Sequence, residues 1–349
     1  MNALSHRGVL AAIGAAALFG ASTPIAKLLL AHTSPWALAG LLYLGAGAGL
    51  WLWRLFSSAP RVRLQRAEFG WLTGAVITGG MLGPLLLMSG LADMAATDAS
   101  LLLNAEGVFT ALLAWFVFKE NFDRRIALGM LAILAGAAIL SWPGRAGVAA
   151  LWPSLAVLGA CLAWAVDNNL TRKVSVADAS FIAMTKGLVA GATNLVLAVA
   201  TGASWPPVAV VAGAGLLGLL SYGTSLVLFV IALRHLGTAR TGAYFSIAPF
   251  FGAVLALGLL AEPLTIQLVL AGVLMAVGVW LHLTESHKHR HTHEPLEHTH
   301  EHQHDEHHQH IHADGSPATT RHKHWHRHAP LVHSHEHYPD IHHQHPHPH

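Results

Sequence analysis

The sequence predicts an all-α integral membrane protein: ten transmembrane helices in two inverted five-helix repeats, followed by a disordered tail. Three observations predict it, namely a scarcity of charge, ten apolar runs of membrane length, and an internal duplication with an odd number of runs per copy. Of 349 residues, 53% are hydrophobic and only 11% charged, with mean hydropathy +0.48. Soluble domains carry about 25% charged residues, so an ordinary soluble enzyme is excluded. Residues 1–286 hold 15 Lys or Arg against 10 Asp or Glu, while residues 287–349 hold 5 against 8 and 24 of the 28 histidines. The chain is therefore two unlike pieces. The single cysteine, Cys161, permits no intramolecular disulfide or thiolate metal cage and reads as a small packing residue.

About 20 mainly apolar residues are needed to cross about 30 Å of hydrocarbon at about 1.5 Å per residue. The qualifying runs are Gly8 to Ala31, Pro35 to Phe56, Gly70 to Gly90, Thr97 to Phe118, Ile126 to Trp142, Leu151 to Leu170, Ala179 to Thr201, Val208 to Leu233, Thr241 to Ala261 and Leu264 to Leu283. They are continuous rather than alternating, which excludes a β-barrel. The first run lacks a polar cleavage region and reads as a retained helix. With the N-terminus in the cytoplasm, the inner loops receive Arg7, Arg54, Arg61, Arg63, Arg66, Lys119, Arg124, Arg125, Arg172, Lys173, Arg234 and Arg240, and the outer loops receive only Arg145. Twelve to one sets the orientation and, after ten spans, leaves the tail in the cytoplasm. The predicted location is the cytoplasmic (inner) membrane, multi-pass, with both termini inside.

Leu10-Ala-Ala-Ile-Gly-Ala-Ala-Ala-Leu-Phe19-Gly20 matches Leu155-Ala-Val-Leu-Gly-Ala-Cys-Leu-Ala-Trp164-Ala165, and Phe118-Lys-Glu120 through Gly129 matches Leu260-Ala-Glu262 through Gly272. The offset stays near 142 to 145 residues, giving two copies of five runs. An odd number per copy forces the second to enter the membrane upside down, an arrangement transporters use to expose a midplane site to each side in turn. The predicted divisions are residues 8–142, 151–285 and the tail 286–349.

Those motifs, with the run Ala232 to Gly242 and the Ala248-Pro249 step, resemble the EamA-like family of the drug/metabolite transporter superfamily over about Gly8 to Glu285. The resemblance implies an inner-membrane carrier of small metabolites and carries no substrate with it. The chain departs from the family at Leu42-Tyr43, where Arg plus an aromatic is frequent, and at Glu106-Gly107, where an apolar residue plus Pro is frequent.

Charges inside the membrane cost about 2.5 to 3.5 kcal/mol each and ask for a reason. Counting along the runs puts Glu106 roughly 14 Å and Lys186 roughly 12 Å deep. They are expected to line the translocation cavity, with Glu106 as a proton acceptor and the two as a candidate pair. A structural ion pair is the bland alternative. Asp167 and Asn168 are further cavity candidates although the Asp167-Asn168-Asn169 cluster reads as interfacial, as does Lys27. Asn104, Tyr222 and Tyr244 are neutral hydrogen-bonding candidates, and no catalytic residue is expected. Pro84 and Pro249 lie within runs and predict local kinks.

The tail alternates as His287, His289, His291, His293; His298, His300, His302, His304; His307, His308, His310, His312; and His322, His324, His326, His328. Neutral imidazoles this dense on a flexible chain are expected to bind Zn, Ni, Co or Cu ions exchangeably, with protons competing near pH 6.5. No cofactor is required.

The sequence thus reads as a gradient-coupled secondary transporter, an exporter of a small organic metabolite, with a metal-binding cytoplasmic tail. No nucleotide-binding, nucleophile–base or metalloprotease spacing appears, so it does not read as an enzyme. The rival readings are a divalent-metal (Zn, Ni or Co) exporter fed by the tail and a membrane-tethered metal sensor or buffer. Expected partners are a small-molecule solute, the lipid bilayer and divalent metal ions, with no nucleic acid; a homodimer is compatible with the sequence.

Overall fold

The computed structural model describes residues 3–57, 66–118, 124–142, 151–172, 178–236, 241, 244–283, 287–293, 297–302, 322–327 and 331–337. The body, to Glu285, and the tail, from Ser286, are separate compact units.

In the first half, α1 (Ala3–Gly20) and α2 (Ser22–Leu30) form the first span, and α3 (Pro35–Phe56) the second. The third consists of α4 (Arg66–Ala75), a π-helical segment (Val76–Leu82) and α5 (Gly83–Ala92). The fourth consists of α6 (Ala96–Leu102) and α7 (Ala105–Phe118), and the fifth is α8 (Arg124–Leu140). The second half repeats the plan. It has α9 (Trp152–Arg172), α10 (Ala179–Ala200), then α11 (Val208–Gly218), a π-helical segment (Leu219–Thr224) and α12 (Ser225–Leu236), then α13 (Ala248–Leu259) and α14 (Ile266–Leu283). Arg7–Leu30, Pro35–Phe56, Glu68–Ala92, Ser180–Ala200 and Val208–Ala232 are each long and apolar enough alone to cross a membrane. Leu128, Leu131, Val196, Val199, Val254 and Val273 are 58–69% exposed, and hydrocarbon is the solvent in which such a surface is stable.

The helix contacts show the pseudo-twofold. α3 packs on α10, α8 on α14 and the fourth span on the ninth, while α1 against α12 is mirrored by α9 against α5. α3 and α10 run antiparallel, because Gly40 meets Gly191 and, further along α3, Gly47 meets Gly187, earlier in α10. A Cβ on Gly187 would lie 2.7 Å from Gly47 Cα, so glycine is what lets the two backbones touch. Equivalent helices that run antiparallel are related by inversion.

Both third spans carry the π-helical segment, and both fourth spans resume helix (at Ala105 and Ala248) after an interruption, at matching positions of the duplication. The predicted proline kinks take this form. Pro249 stands in the first turn of α13, after the interruption, where the missing N–H has no partner to lose; Pro84 follows the π-helical segment within a continuous helical span, where its missing N–H leaves a carbonyl of that segment without a helical donor. Lys27 and Glu262 fix the corner between the third and fourth spans. Lys27 Nζ donates to Leu91 O and Ala92 O at 2.7 and 2.8 Å. The Glu262 carboxylate accepts the N–H groups of Ala96 and Thr97 at 2.7 and 2.8 Å, capping the N-terminus of α6.

In the tail, β1 (His287–His293) pairs antiparallel with β4 (Leu331–His337), and β2 (Glu297–His302) with β3 (His322–Arg327). The register sets His289 opposite His335, His291 opposite His333, His298 opposite His326 and His300 opposite His324. This pairing is backbone order that composition does not predict, and a lone two-stranded ladder is marginal in water. His304, His307, His308, His310, His312 and His328 lie outside the described residues.

Candidate solute site

The interruption of the fourth span positions the acid. Leu103 and Asn104 form a turn, and Leu101 O accepts both the Asn104 backbone N–H at 3.1 Å and Asn104 Nδ2 at 2.8 Å. Asn104 is buried, with its amide also 4.0 Å from Met275 Sδ, so its role is to hold the break. Helix restarts at Ala105, which sets Glu106 in the first turn of α7. A carboxylate there meets the positive end of the helix dipole inside the membrane.

Glu106 Oε1 accepts from Asn168 Nδ2 on α9 at 2.9 Å, and the same amide lies 3.4 Å from Thr110 Oγ1. One residue earlier on α9, Asp167 takes Lys186 from α10, with Nζ 2.6 Å from Oδ1 and in contact with Oδ2 as well. Thr171 Oγ1 donates to Asp167 Oδ1 at 2.9 Å. The anticipated Glu106–Lys186 pair is therefore not the one formed: Lys186 belongs to Asp167, and Glu106 to a neutral amide. Asp167 itself is 4% exposed and ion-paired. The lysine stem is long and flexible, so its charge need not lie at the level of its own Cα, which counting residues along a helix assumes.

Asn168 is reached by solvent although its neighbours on the helix face are not. Val157, Cys161, Trp164 and Asn168 follow one another at helical spacing on one face of α9. The first three are 0%, 0% and 8% exposed, yet Asn168 is exposed. Leu155 and Leu162, on another face of α9, are exposed as well. Cys161 is the packing residue expected, fully buried with Sγ 3.6 Å from Leu102 O.

The π-helical segment of the third span packs against Asp167 at Gly79 and anchors two aromatic side chains. Its Gly79 carbonyl accepts Tyr43 Oη–H at 2.8 Å and Trp164 Nε1–H at 2.9 Å, and its Gly80 carbonyl accepts Asn194 Nδ2–H at 3.3 Å. The widened π turn presents carbonyls to neighbouring side chains. From Tyr43 the rings continue to Tyr222 at 5.7 Å between centroids, to Phe19 at 5.6 Å from Tyr222, and to Phe245 at 5.3 Å from Phe19. Tyr222 sits in the equivalent π-helical segment of the second half. Tyr244 packs instead beside the buried cluster of Ala11, Ala12 and Ala232. Of the residues sequence reasoning named, Glu106, Asp167, Asn168 and Lys186 are brought together and Tyr222 joins the series of rings; it gave no site role to Tyr43, Trp164 or Phe19. The signals were present as the Leu42-Tyr43 departure and the paired Phe19/Trp164 motif. Among the described residues no group of three His, Cys, Asp or Glu could hold a metal ion.

Inverted halves, broken spans at matching positions and a polar cluster between them define a membrane transporter of the inverted-repeat class. The model of the EamA-like transporter family matches residues 6–142 and 151–284, and the chain belongs to that family. It is similar to an uncharacterized transporter of Methanothermobacter thermautotrophicus, 28% identical over 292 residues, covering 78% of this chain and 85% of the relative. A second relative is a probable 4-amino-4-deoxy-L-arabinose-phosphoundecaprenol flippase subunit ArnE of Pseudomonas fluorescens. It is 34% identical over 102 residues, covering 29% of this chain and 89% of the relative. A protein of known crystal structure, 17% identical, superposes with TM-score 0.59 over 78% of this chain and 95% of its own, a likeness of fold.

Proposed function

We propose that this multi-pass membrane protein is a gradient-coupled secondary transporter that exports a small organic metabolite by alternating access. The carrying observation is the set of matched irregularities, one π-helical segment and one broken span in each half, gathered around Glu106, Asn168, Asp167 and Lys186. Segments that depart from regular helix at equivalent depths can exchange geometries between the two halves, as alternating access requires. The ArnE-named relative handles a lipid-linked amino sugar by its name, which favours an organic solute over a bare metal ion. The location proposed is the cytoplasmic membrane with both termini inside, from the twelve-to-one loop bias.

The test is uptake of a panel of labelled solutes into proteoliposomes under an imposed pH gradient. Transport that depends on the gradient and collapses with an ionophore supports the reading, and no movement of any solute under any gradient refutes it.

The tail is proposed as a cytoplasmic buffer for Zn, Ni, Co or Cu. Its register sets histidine opposite histidine along both ladders, which suits ions that need two or more nitrogen ligands. A divalent-metal exporter is the second reading, and the missing ligand cluster among the described body residues counts against it.

A further inference from the structure

We infer that each of the two tail ladders is a defined site for a zinc-like divalent cation, held by cross-strand pairs of histidines on one face, and that the ion locks the ladder closed. The inference rests on the reading of the tail as a metal buffer and gives that buffer fixed sites and a fold that depends on the metal.

The register carries the argument. In an antiparallel pair, residues directly opposite share a face, and every second residue along a strand returns to it. In the β1–β4 ladder His287, His289 and His291 stand opposite His337, His335 and His333. In the β2–β3 ladder His298, His300 and His302 stand opposite His326, His324 and His322. Each ladder thus assigns three successive histidine pairs to one face. Opposite Cβ positions lie about 4.5–5.5 Å apart, and the next pair on that face follows about 7 Å along the strands. Two successive pairs, such as His298 with His326 and His300 with His324, therefore place four imidazole-bearing positions around one point. Four nitrogen ligands at about 2.0–2.1 Å complete the tetrahedral shell of zinc.

The opposite face selects this register. Lys288 stands opposite Glu336, Glu297 opposite Arg327 and Glu301 opposite Lys323, and opposite charges across a ladder favour the pairing that joins them. A slip of one residue would set His298 against Trp325 or Arg327 and break up the histidine face. A slip of two would keep histidine against histidine but part Glu297 from Arg327 and Glu301 from Lys323. The carboxylates are thereby kept off the face of the histidine pairs. A face of neutral nitrogen ligands suits zinc, nickel, cobalt or copper, whereas magnesium and calcium take oxygen ligands.

Ladder and ion support each other. A lone two-stranded ladder is marginal in water, and among the described residues no set of three ligands is already assembled. The ladder supplies spacing, and the ion draws imidazoles of both strands onto itself, so that binding free energy becomes folding free energy. A chelate made along one strand from a His-x-His step would tie no strands together. A cross-strand chelate between β2 and β3 also closes the segment 303–321 that separates them, and a link across a long segment removes freedom from the open chain.

The experiment follows backbone amide exchange by mass spectrometry in the purified full-length protein at pH 7.5, with zinc, with magnesium and with a chelator, and measures zinc affinity by competition with a chromophoric chelator. Zinc is expected to slow exchange in all four strands by about tenfold or more, and magnesium to leave it unchanged. His298→Gln with His300→Gln should remove the protection of β2 and β3 and leave that of β1 and β4. His307→Gln with His308→Gln, an equal loss of imidazoles from the chain between β2 and β3, should leave all four strands protected. Glu301→Lys removes no histidine but sets like charges opposite each other; it should weaken zinc binding at the β2–β3 site by about threefold or more, and adding Lys323→Glu should restore it. Zinc bound without protection of any strand, equal protection by magnesium, or the same effect from the two histidine double variants overturns the inference and leaves the buffer reading standing. No zinc binding at all refutes both.

Discussion

Lys186 on α10 is held by Asp167 on α9, although residue counting along the helices pairs it with Glu106 on α7. The consequence is a division of labour between neighbours on α9: Asp167 closes a charge pair, while Asn168 offers Glu106 a neutral donor.

That pair makes a stability prediction. Breaking a buried ion pair by removing one partner strands the other and costs about 3–5 kcal/mol. Lys186→Met and Asp167→Asn should each lower the unfolding temperature in detergent, and the double variant should be more stable than the less stable single. Additive losses in that double-mutant cycle would show that the two charges do not support each other.

Gly79 makes the second. A Cβ on Gly79 would overlap the Asp167 carboxylate, and this residue's carbonyl also holds Tyr43 and Trp164. Gly79→Ala should therefore destabilise by about 1–3 kcal/mol and disturb solute binding. At Gly70 a Cβ meets nothing within 4 Å, and Gly70→Ala in α4 should be neutral or stabilise by up to about 1 kcal/mol through helix propensity. Thermal unfolding of the two variants side by side checks the contrast.

The membrane architecture was legible because its signals are long. Apolar runs and a duplicated motif each integrate over many residues, and the matched helices α3 and α10 pack through glycines. The π-helical segments were illegible because a single extra residue per turn leaves no mark on hydropathy. Gly79-Gly80 reads equally well as close packing in a regular helix. In the site, charge scarcity singled out Glu106 and Lys186, but partner choice depended on where the long Lys186 side chain reaches, which is to Asp167. Tyr43 and Trp164 were passed over because an aromatic in an apolar run resembles any other core residue until its polar atom is seen on the Gly79 carbonyl.

A third prediction concerns the end of α10. Asp178 caps that helix through the Phe181 N–H at 3.1 Å and pairs with Arg54 of α3 at 2.6 Å, while Arg54 also lies over the Phe181 ring. Burial alone would push the Asp178 carboxyl up, but the Ser180 hydroxyl, the Phe181 N–H and the Arg54 guanidinium together hold it below the usual carboxylate range. With the folded value depressed, its stabilisation is present above the unfolded value near ~3.9 and is lost as pH falls through the folded value. Asp178→Asn keeps a good helix cap and removes the charge. Its unfolding temperature should lie below that of the unaltered protein at pH 5–8, by about 1 kcal/mol or less in stability, with the gap closing as pH falls below about 4. A gap unchanged at low pH would assign the effect to something other than the carboxylate charge.

The tail separates metal binding from solute transport. Full-length protein should bind several Zn or Ni ions at pH 7.5 and release most of them by about pH 5.5, since protonation near 6.5 occupies the imidazole lone pair that coordinates. Deleting residues 287–349 should abolish that binding, because 24 of the 28 histidines go with it. The same truncation should leave organic-solute transport within about twofold, since Glu106, Asn168, Asp167 and Lys186 all lie in the body, while any effect of added metal on transport disappears. If the truncated protein loses all solute movement and the intact protein carries Zn into vesicles, the metal-exporter reading replaces the organic one.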